Sequence, residues 1–113
     1  MTGACEGLRV LEVSRGMAGS LAGMVLADNG AEVIRIEKPG NEPVGPVWGQ
    51  RLRDRAKKSV HLDLEQPKDH KLFLDLVKTV DVAIVAMRRH TIERLGIDYP
   101  AMGAANPRLI YTT

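Results

Sequence analysis

The chain is poor in aromatic residues, with one Trp, two Tyr and one Phe among 113 residues. Its 44% apolar content must therefore build an aliphatic core, and at this length it forms one domain or a piece of one. Cysteine is scarcer still. Cys5 stands alone, which excludes an internal disulfide and suits a reducing cytoplasm. The three histidines, His61, His70 and His90, have no ligand spacing with one another or with Cys5, so no metal site is expected. No apolar run approaches the roughly 20 residues needed to cross a bilayer. The first residues also lack the basic and apolar blocks of a signal peptide, so the expectation is a cytoplasmic protein that uses no membrane. A formal charge of +2 is too small to imply a nucleic-acid partner.

The charge that is present is unevenly placed. Arg51, Arg53, Arg55, Lys57 and Lys58 fall within eight residues, opposed only by Asp54, and Arg88, Arg89 and Arg94 form a second knot. Basic runs are commonly just solvated. Two of them beside the ends of expected strands favour an anionic ligand.

Hydrophobic patterning gives an alternation of strands and helices. Leu8 to Val13 reads as a buried strand ending at Ser14-Arg15-Gly16. A helix follows from about Ala18 or Ser20 to Asn29, with Ala18, Ala22, Gly23 and Ala27 small enough for close packing. Asn29-Gly30 is a good stop for it. Ala31 to Glu37 is a second strand. Lys38 to Ala56 reads as a long loop rich in Pro and Gly, with Trp48 as an anchor. Ser59 to Asp63 is a third strand and Pro67 to Thr79 a helix, begun by proline at a position that tolerates it and capped indifferently by Gln66. Its apolar face is Leu72, Phe73, Leu76, Val77 and Val80, opposite Lys71, Asp75 and Lys78. Asp81 to Ala86 is almost wholly apolar, as a strand covered on both faces would be. Short helices over Thr91 to Leu95 and Tyr99 to Ala105 precede a last strand, Arg108 to Thr113. This βαβ order predicts an α/β fold, a Rossmann-like parallel sheet with helices on both faces. Its ending in a strand suggests an incomplete sheet.

The turn after the first strand does not fit a dinucleotide fingerprint. Glu37 stands about where an acidic residue would meet ribose hydroxyls, but Gly16, Gly19 and Gly23 are spaced G-x-x-G-x-x-x-G. A P-loop is excluded, since no G-K-[ST] occurs. Close helix–sheet packing accounts for Gly23 and Ala27 better than for Gly16 and Gly19, which lie where ligands gather in open sheets.

Six segments occur in order: Gly7 to Gly19 (GLRVLEVSRGMAG), Leu26 to Gly40 (LADNGAEVIRIEKPG), Lys57 to Leu64 (KKSVHLDL), Ala83 to Arg89 (AIVAMRR), Ile92 to Gly96 (IERLG) and Asn106 to Tyr111 (NPRLIY). Together they closely resemble the opening of the family III CoA-transferases, which include formyl-CoA and carnitine CoA-transferases and 2-methylacyl-CoA racemases. The resemblance implies the amino-terminal part of a large CoA-binding domain, with the small domain and the rest of the large domain outside residues 1–113. It implies acyl-CoA and a free carboxylic acid as substrates and an interlocked homodimer as the parent assembly. CoA contacts carry over to Met17 and Ala18 at the turn, and to Lys38 at the phosphates. They carry over likewise to Leu62, Asp63, Leu64 and Glu65 after the third strand, to Ala86, Met87 and Arg88 after the fourth, and to Arg94. Cations there suit a ligand with a pyrophosphate and a 3′-phosphate. Arg53 and Arg55 are expected to be solvated or interfacial, and Arg94 has Glu93 and Asp98 as alternative partners.

The chain departs from the family pattern in three places. Ser20 replaces a proline, Ala86 to His90 (AMRRH) replaces N-F-[RH]-P-G, and Glu65 stands where lysine is common. The resemblance places the transferase's aspartate, which carries a mixed anhydride, beyond residue 113. It places the acid and base of a racemase there as well. No residue of this chain is expected to be catalytic. Asp63 begins a turn, Asp75 faces solvent, Asp81 precedes a strand, His61 lies in a strand, His70 on a helix's polar side and His90 in a loop. The chain alone is expected to be inactive. The alternatives are a racemase parent and a non-catalytic interaction domain.

Overall fold

The computed structural model describes residues 3–40 and 48–113. The side chain of Trp48, expected as an anchor, lies outside the described residues, as do Pro43, Gly45 and Pro46 of the same loop. Among the described residues, five strands and five helices follow one another: β1 (Arg9–Ser14), α1 (Met17–Asp28), β2 (Glu32–Glu37), α2 (Trp48–Arg53), β3 (Lys57–His61), α3 (Pro67–Val77), β4 (Val82–Ala86), α4 (Arg89–Leu95), α5 (Tyr99–Ala105) and β5 (Ile110–Thr112). All strand pairs are parallel. Their order is β3-β2-β1-β4-β5. The chain therefore starts at the centre of the sheet, works out to β3 and crosses back to β4. The expected α/β fold is present, and the strand order reverses between β1 and β4, the point at which such sheets open a crevice.

Alternation along β1 splits the two faces. Leu11 and Val13 join Ile34, Ile36, Phe73, Val77, Ile92, Ile97 and Met102 in the larger apolar cluster, under α3, α4 and α5. Val10 joins Ala31, Val33 and Ile84 in a smaller one, packed with Leu26 and Ala27 of α1. The helices thus cover both faces. Glu12 points to the α1 side and is fully buried. Its Oε1 accepts from Lys57 Nζ at 2.7 Å. Its Oε2 accepts from Ser14 Oγ at 2.9 Å. Lys57 also donates to the Ser20 carbonyl at 2.9 Å, so the ion pair ties β1, β3 and α1 together. The register sets Glu12 opposite Arg35, whose Nε is 3.8 Å away.

This buried pair determines how α1 lies. A Cβ on Gly23 would stand 2.0 Å from Glu12 Oε1, and one on Gly19 2.5 Å from the Ser14 Cβ. Close packing thus explains Gly19 as well as Gly23. Gly16 has another reason, since its φ of 84° is a conformation that side chains resist. Gly19, Ser20 and Gly23 face the sheet, whereas Ala18 and Ala22, expected to pack closely, are exposed. Leu21 and Val25 also point outward.

Several boundaries move. The segment expected as loop before β3 contains α2. β3 begins at Lys57, earlier than expected, because its register against β2 continues to the Val33–Lys57 pair. Leu72 of α3 is 49% exposed, whereas Phe73, Val77 and Val80 are buried as expected. Gln66 makes no side-chain cap. Instead Asp69 accepts from the Asp63 N–H at 2.9 Å and braces the turn before α3. His90 lies in α4 rather than in a loop, and Gly96 ends that helix in the left-handed conformation, as expected. Asn106, after α5, donates to the carbonyls of Val77 and Val80 at 3.0 and 2.9 Å.

Candidate functional site

A cavity of about 380 Å³ opens at the carboxyl ends of β1, β2 and β3 and is closed on one side by α4. Parallel strands direct all their carboxyl ends to one rim, so residues distant in sequence converge there. Of the positions singled out by sequence, Lys38, Leu62, Asp63, Leu64, Glu65, Met87 and Arg94 line it. Met17, Ala18, Ala86 and Arg88 do not line it. Met17 and Ala18 are exposed at the start of α1, where the neighbouring Arg15 and Gly16 form the wall instead. Ala86 packs its Cβ against the Gly19 backbone, and its carbonyl accepts from the Arg15 N–H at 3.1 Å. Arg88 is the exposed residue before α4 and provides no side-chain cap.

The cavity also contains charged residues that the sequence did not single out as ligand contacts: Arg15, Arg35, Glu37, Asp54 and His61. With Lys38, Asp63, Glu65 and Arg94 they set four cationic side chains among four carboxylates. The cations are thus largely matched by carboxylates of the protein. Arg35 donates to Asp54 and lies 3.6 Å from Glu37, and its Nε has no hydrogen-bond partner. Glu37 Oε2 accepts from Ser59 Oγ at 2.8 Å and is 3.3 Å from His61 Nε2. Glu37, which stands about where an acidic residue would meet ribose in a dinucleotide fold, thus has its carboxylate already engaged. Arg35 left a visible signal: like Glu12, which is buried beneath α1 and does not line the cavity, it is a charged residue in the middle of a strand, a costly placement that calls for a partner.

Arg94 does not pair with Glu93 or Asp98. It donates to Glu65, and Glu93 is taken by Arg89 at 3.0 Å. Lys38 Nζ lies 3.8 Å from the other oxygen of Glu65. The hydrogen bond from Arg94, and then the charge of Lys38, hold the Glu65 carboxyl below the usual carboxylate range. Asp63 accepts from the Glu65 N–H at 3.1 Å, which makes it the turn residue it was expected to be. Arg53 is not simply solvated, because its Nε donates to Ser20 Oγ at 2.8 Å. Arg55 pairs with Asp28 at the surface.

Residues 5–113 match the family model described as CoA-transferase family III. The chain is 35% identical to a succinate–glutarate CoA-transferase of Agrobacterium fabrum, across 94% of this chain and 30% of that protein. It is 39% identical to a probable fatty acyl-CoA transferase of Mycobacterium tuberculosis, with the same shares covered. A crystal structure of the latter superposes with a TM-score of 0.88 over 98% of this chain and 33% of that one. A CAIB/BAIF family protein from Brucella suis, 30% identical, has the same TM-score and the same coverage. The chain thus spans about a third of the length of the relatives it matches.

Proposed function

The chain belongs to CoA-transferase family III, and from that premise we propose that it is the amino-terminal part of a CoA-transferase's large domain and supplies its nucleotide-binding rim. The small domain and the remainder of the large domain would lie in polypeptide beyond these residues. The substrates are an acyl-CoA and a free carboxylic acid, and CoA passes between carboxylates through an aspartyl mixed anhydride. Dividing one difficult exchange into two attacks is the logic of nucleophilic catalysis. The aspartate lies outside this chain, whose own contribution is binding. An interlocked homodimer is the assembly proposed for the full-length protein.

The observation that carries this reading is the convergence of Lys38, from the end of β2, and Arg94, from α4, on one side of a cavity at the strand ends. Arg offers a planar fork to phosphate oxygens, and Lys a movable point charge. Leu62, Leu64 and Met87 give that cavity apolar wall, which suits the adenine end of CoA. Met17, Ala18, Ala86 and Arg88, which carry over from the family's contacts but stand off the cavity, are proposed to reach the ligand only at its margin.

Titration of the full-length protein with CoA tests the reading. Lys38→Ala and Arg94→Ala are each expected to weaken binding by about tenfold, as loss of one charge-assisted phosphate contact should. Transfer of CoA to a labelled free acid should accompany binding. Failure to bind CoA would overturn the reading. Deuterium entering the α-carbon of a branched acyl-CoA in heavy water, without CoA transfer, would replace the transferase with a racemase.

A further inference from the structure

The proposed anion site already contains an anion. Glu65 presents one carboxylate oxygen to Arg94 and the other to Lys38, so a single internal group spans both cations. Its backbone sits in a braced turn, with Asp63 accepting from the Glu65 N–H and Asp69 accepting from that of Asp63. Its side chain is not locked in, being 44% exposed beside Lys38 at 44% and Arg94 at 55%. The carboxylate can therefore leave without unfolding the turn. Arg15 adds a third positive charge to its surroundings.

We propose that Glu65 is an intramolecular placeholder for a phosphate monoester, so that the rim selects dianionic terminal phosphates and binds them by exchange. The inference rests on the CoA reading above and deepens it. The physical argument is one of charge. A ligand that engages Lys38 and Arg94 must release Glu65, which then stays tethered nearby. A singly charged phosphodiester or a carboxylate offers the two cations little more than Glu65 already does. A monoester dianion brings a second charge and a third acceptor oxygen, so it gains on exchange. In CoA the group of that kind is the 3′-phosphate. Removing the carboxylate from Glu65 should therefore favour a ligand in proportion to the charge it places between the two cations.

Calorimetric titration of the full-length protein with CoA and with dephospho-CoA, which differs only in lacking that monoester, provides the test. Glu65→Gln is expected to tighten CoA about fivefold, the scale of one exposed ion pair. Dephospho-CoA should change by less than about twofold. Glu65→Asp, which keeps the charge on a shorter arm, should fall between the wild type and Glu65→Gln for CoA. Equal tightening of both ligands would overturn the monoester assignment. Unchanged or weaker CoA binding by Glu65→Gln at an unaltered melting temperature would overturn the placeholder. If CoA binds but Lys38→Ala and Arg94→Ala leave its affinity unaltered, the placeholder and the phosphate role of these two cations fall, while CoA binding by the full-length protein stands. If no variant and no wild type binds CoA, both fall together.

Discussion

The two faces of the sheet are held by different physics. Beneath α3, α4 and α5, buried aliphatic side chains and the single Phe73 interlock. Beneath α1 the apolar cluster is smaller, and beside it the central strand offers Glu12 to Lys57, with Arg35 and Ser14 alongside. An apolar face loses stability gradually, according to the volume removed. An ionic face depends on every partner being present, since a buried charge whose partner is lost keeps its desolvation cost. The difference teaches why the chain carries small residues in α1 and large ones in α3. A helix over a buried ion pair must leave room for carboxylate and ammonium, whereas a helix over an apolar layer must fill it.

The largest effects should come from attacking each face once. Lys57→Ala is expected to cost about 3–5 kcal/mol in urea unfolding, because Glu12 would be left buried with only the more distant Arg35 to balance it. Phe73→Ala should cost a similar amount, about 3–5 kcal/mol, through the cavity it creates. The two are separated by rescue. Adding Glu12→Leu to Lys57→Met should restore most of the loss, since apolar replacement of a whole buried pair is often neutral. If the double variant is as unstable as Lys57→Ala, the contrast between the faces is wrong.

Next in size is Gly23→Ala. An exposed helix would gain about 1 kcal/mol from alanine. Here the new methyl meets Oε1 of Glu12, a carboxylate that Lys57 holds by that oxygen and Ser14 by the other. Overpacking should win, at about 1–3 kcal/mol destabilising. In a Glu12→Ala background the same substitution should be nearly harmless, which thermal melts of the four variants would show.

The smallest effect lies at the surface. Asp28, held low first by its hydrogen bond from Arg55, and Glu32, by that from Lys58, both have depressed carboxyl pKa values. Glu65 behaves in the same way through Arg94. A carboxyl whose folded pKa is depressed contributes stability above its unfolded pKa and loses it as pH falls through the folded one. Melting temperature should therefore be flat near neutrality and decline in the acid range, below about pH 4. Molar salt should blunt that decline, because these pairs are exposed.

Much of this was legible in the sequence. Apolar strands, the Asn29-Gly30 stop, Pro67 at the start of α3 and Gly96 at the end of α4 each reflect a local preference that the structure keeps. α2 was not, since a Pro- and Gly-rich segment gives no periodic signal. The facing of α1 was also hidden. Its packing follows from Glu12, whose partner Lys57 sits 45 residues away. At the rim, cations at strand ends could be read from their positions. That Arg94 reaches Glu65, and not a neighbour on its own helix, depends on how α4 is set against the turn after β3.

The tight seating of α1 has a mechanical corollary. With no room for even a methyl at Gly19 or Gly23, a rotation of the helix that turned a bulkier residue toward the strands would meet Ser14 or Glu12. Close seating of this kind makes α1 an abutment for the turn at Arg15 and Gly16, which wall the cavity just ahead of the helix.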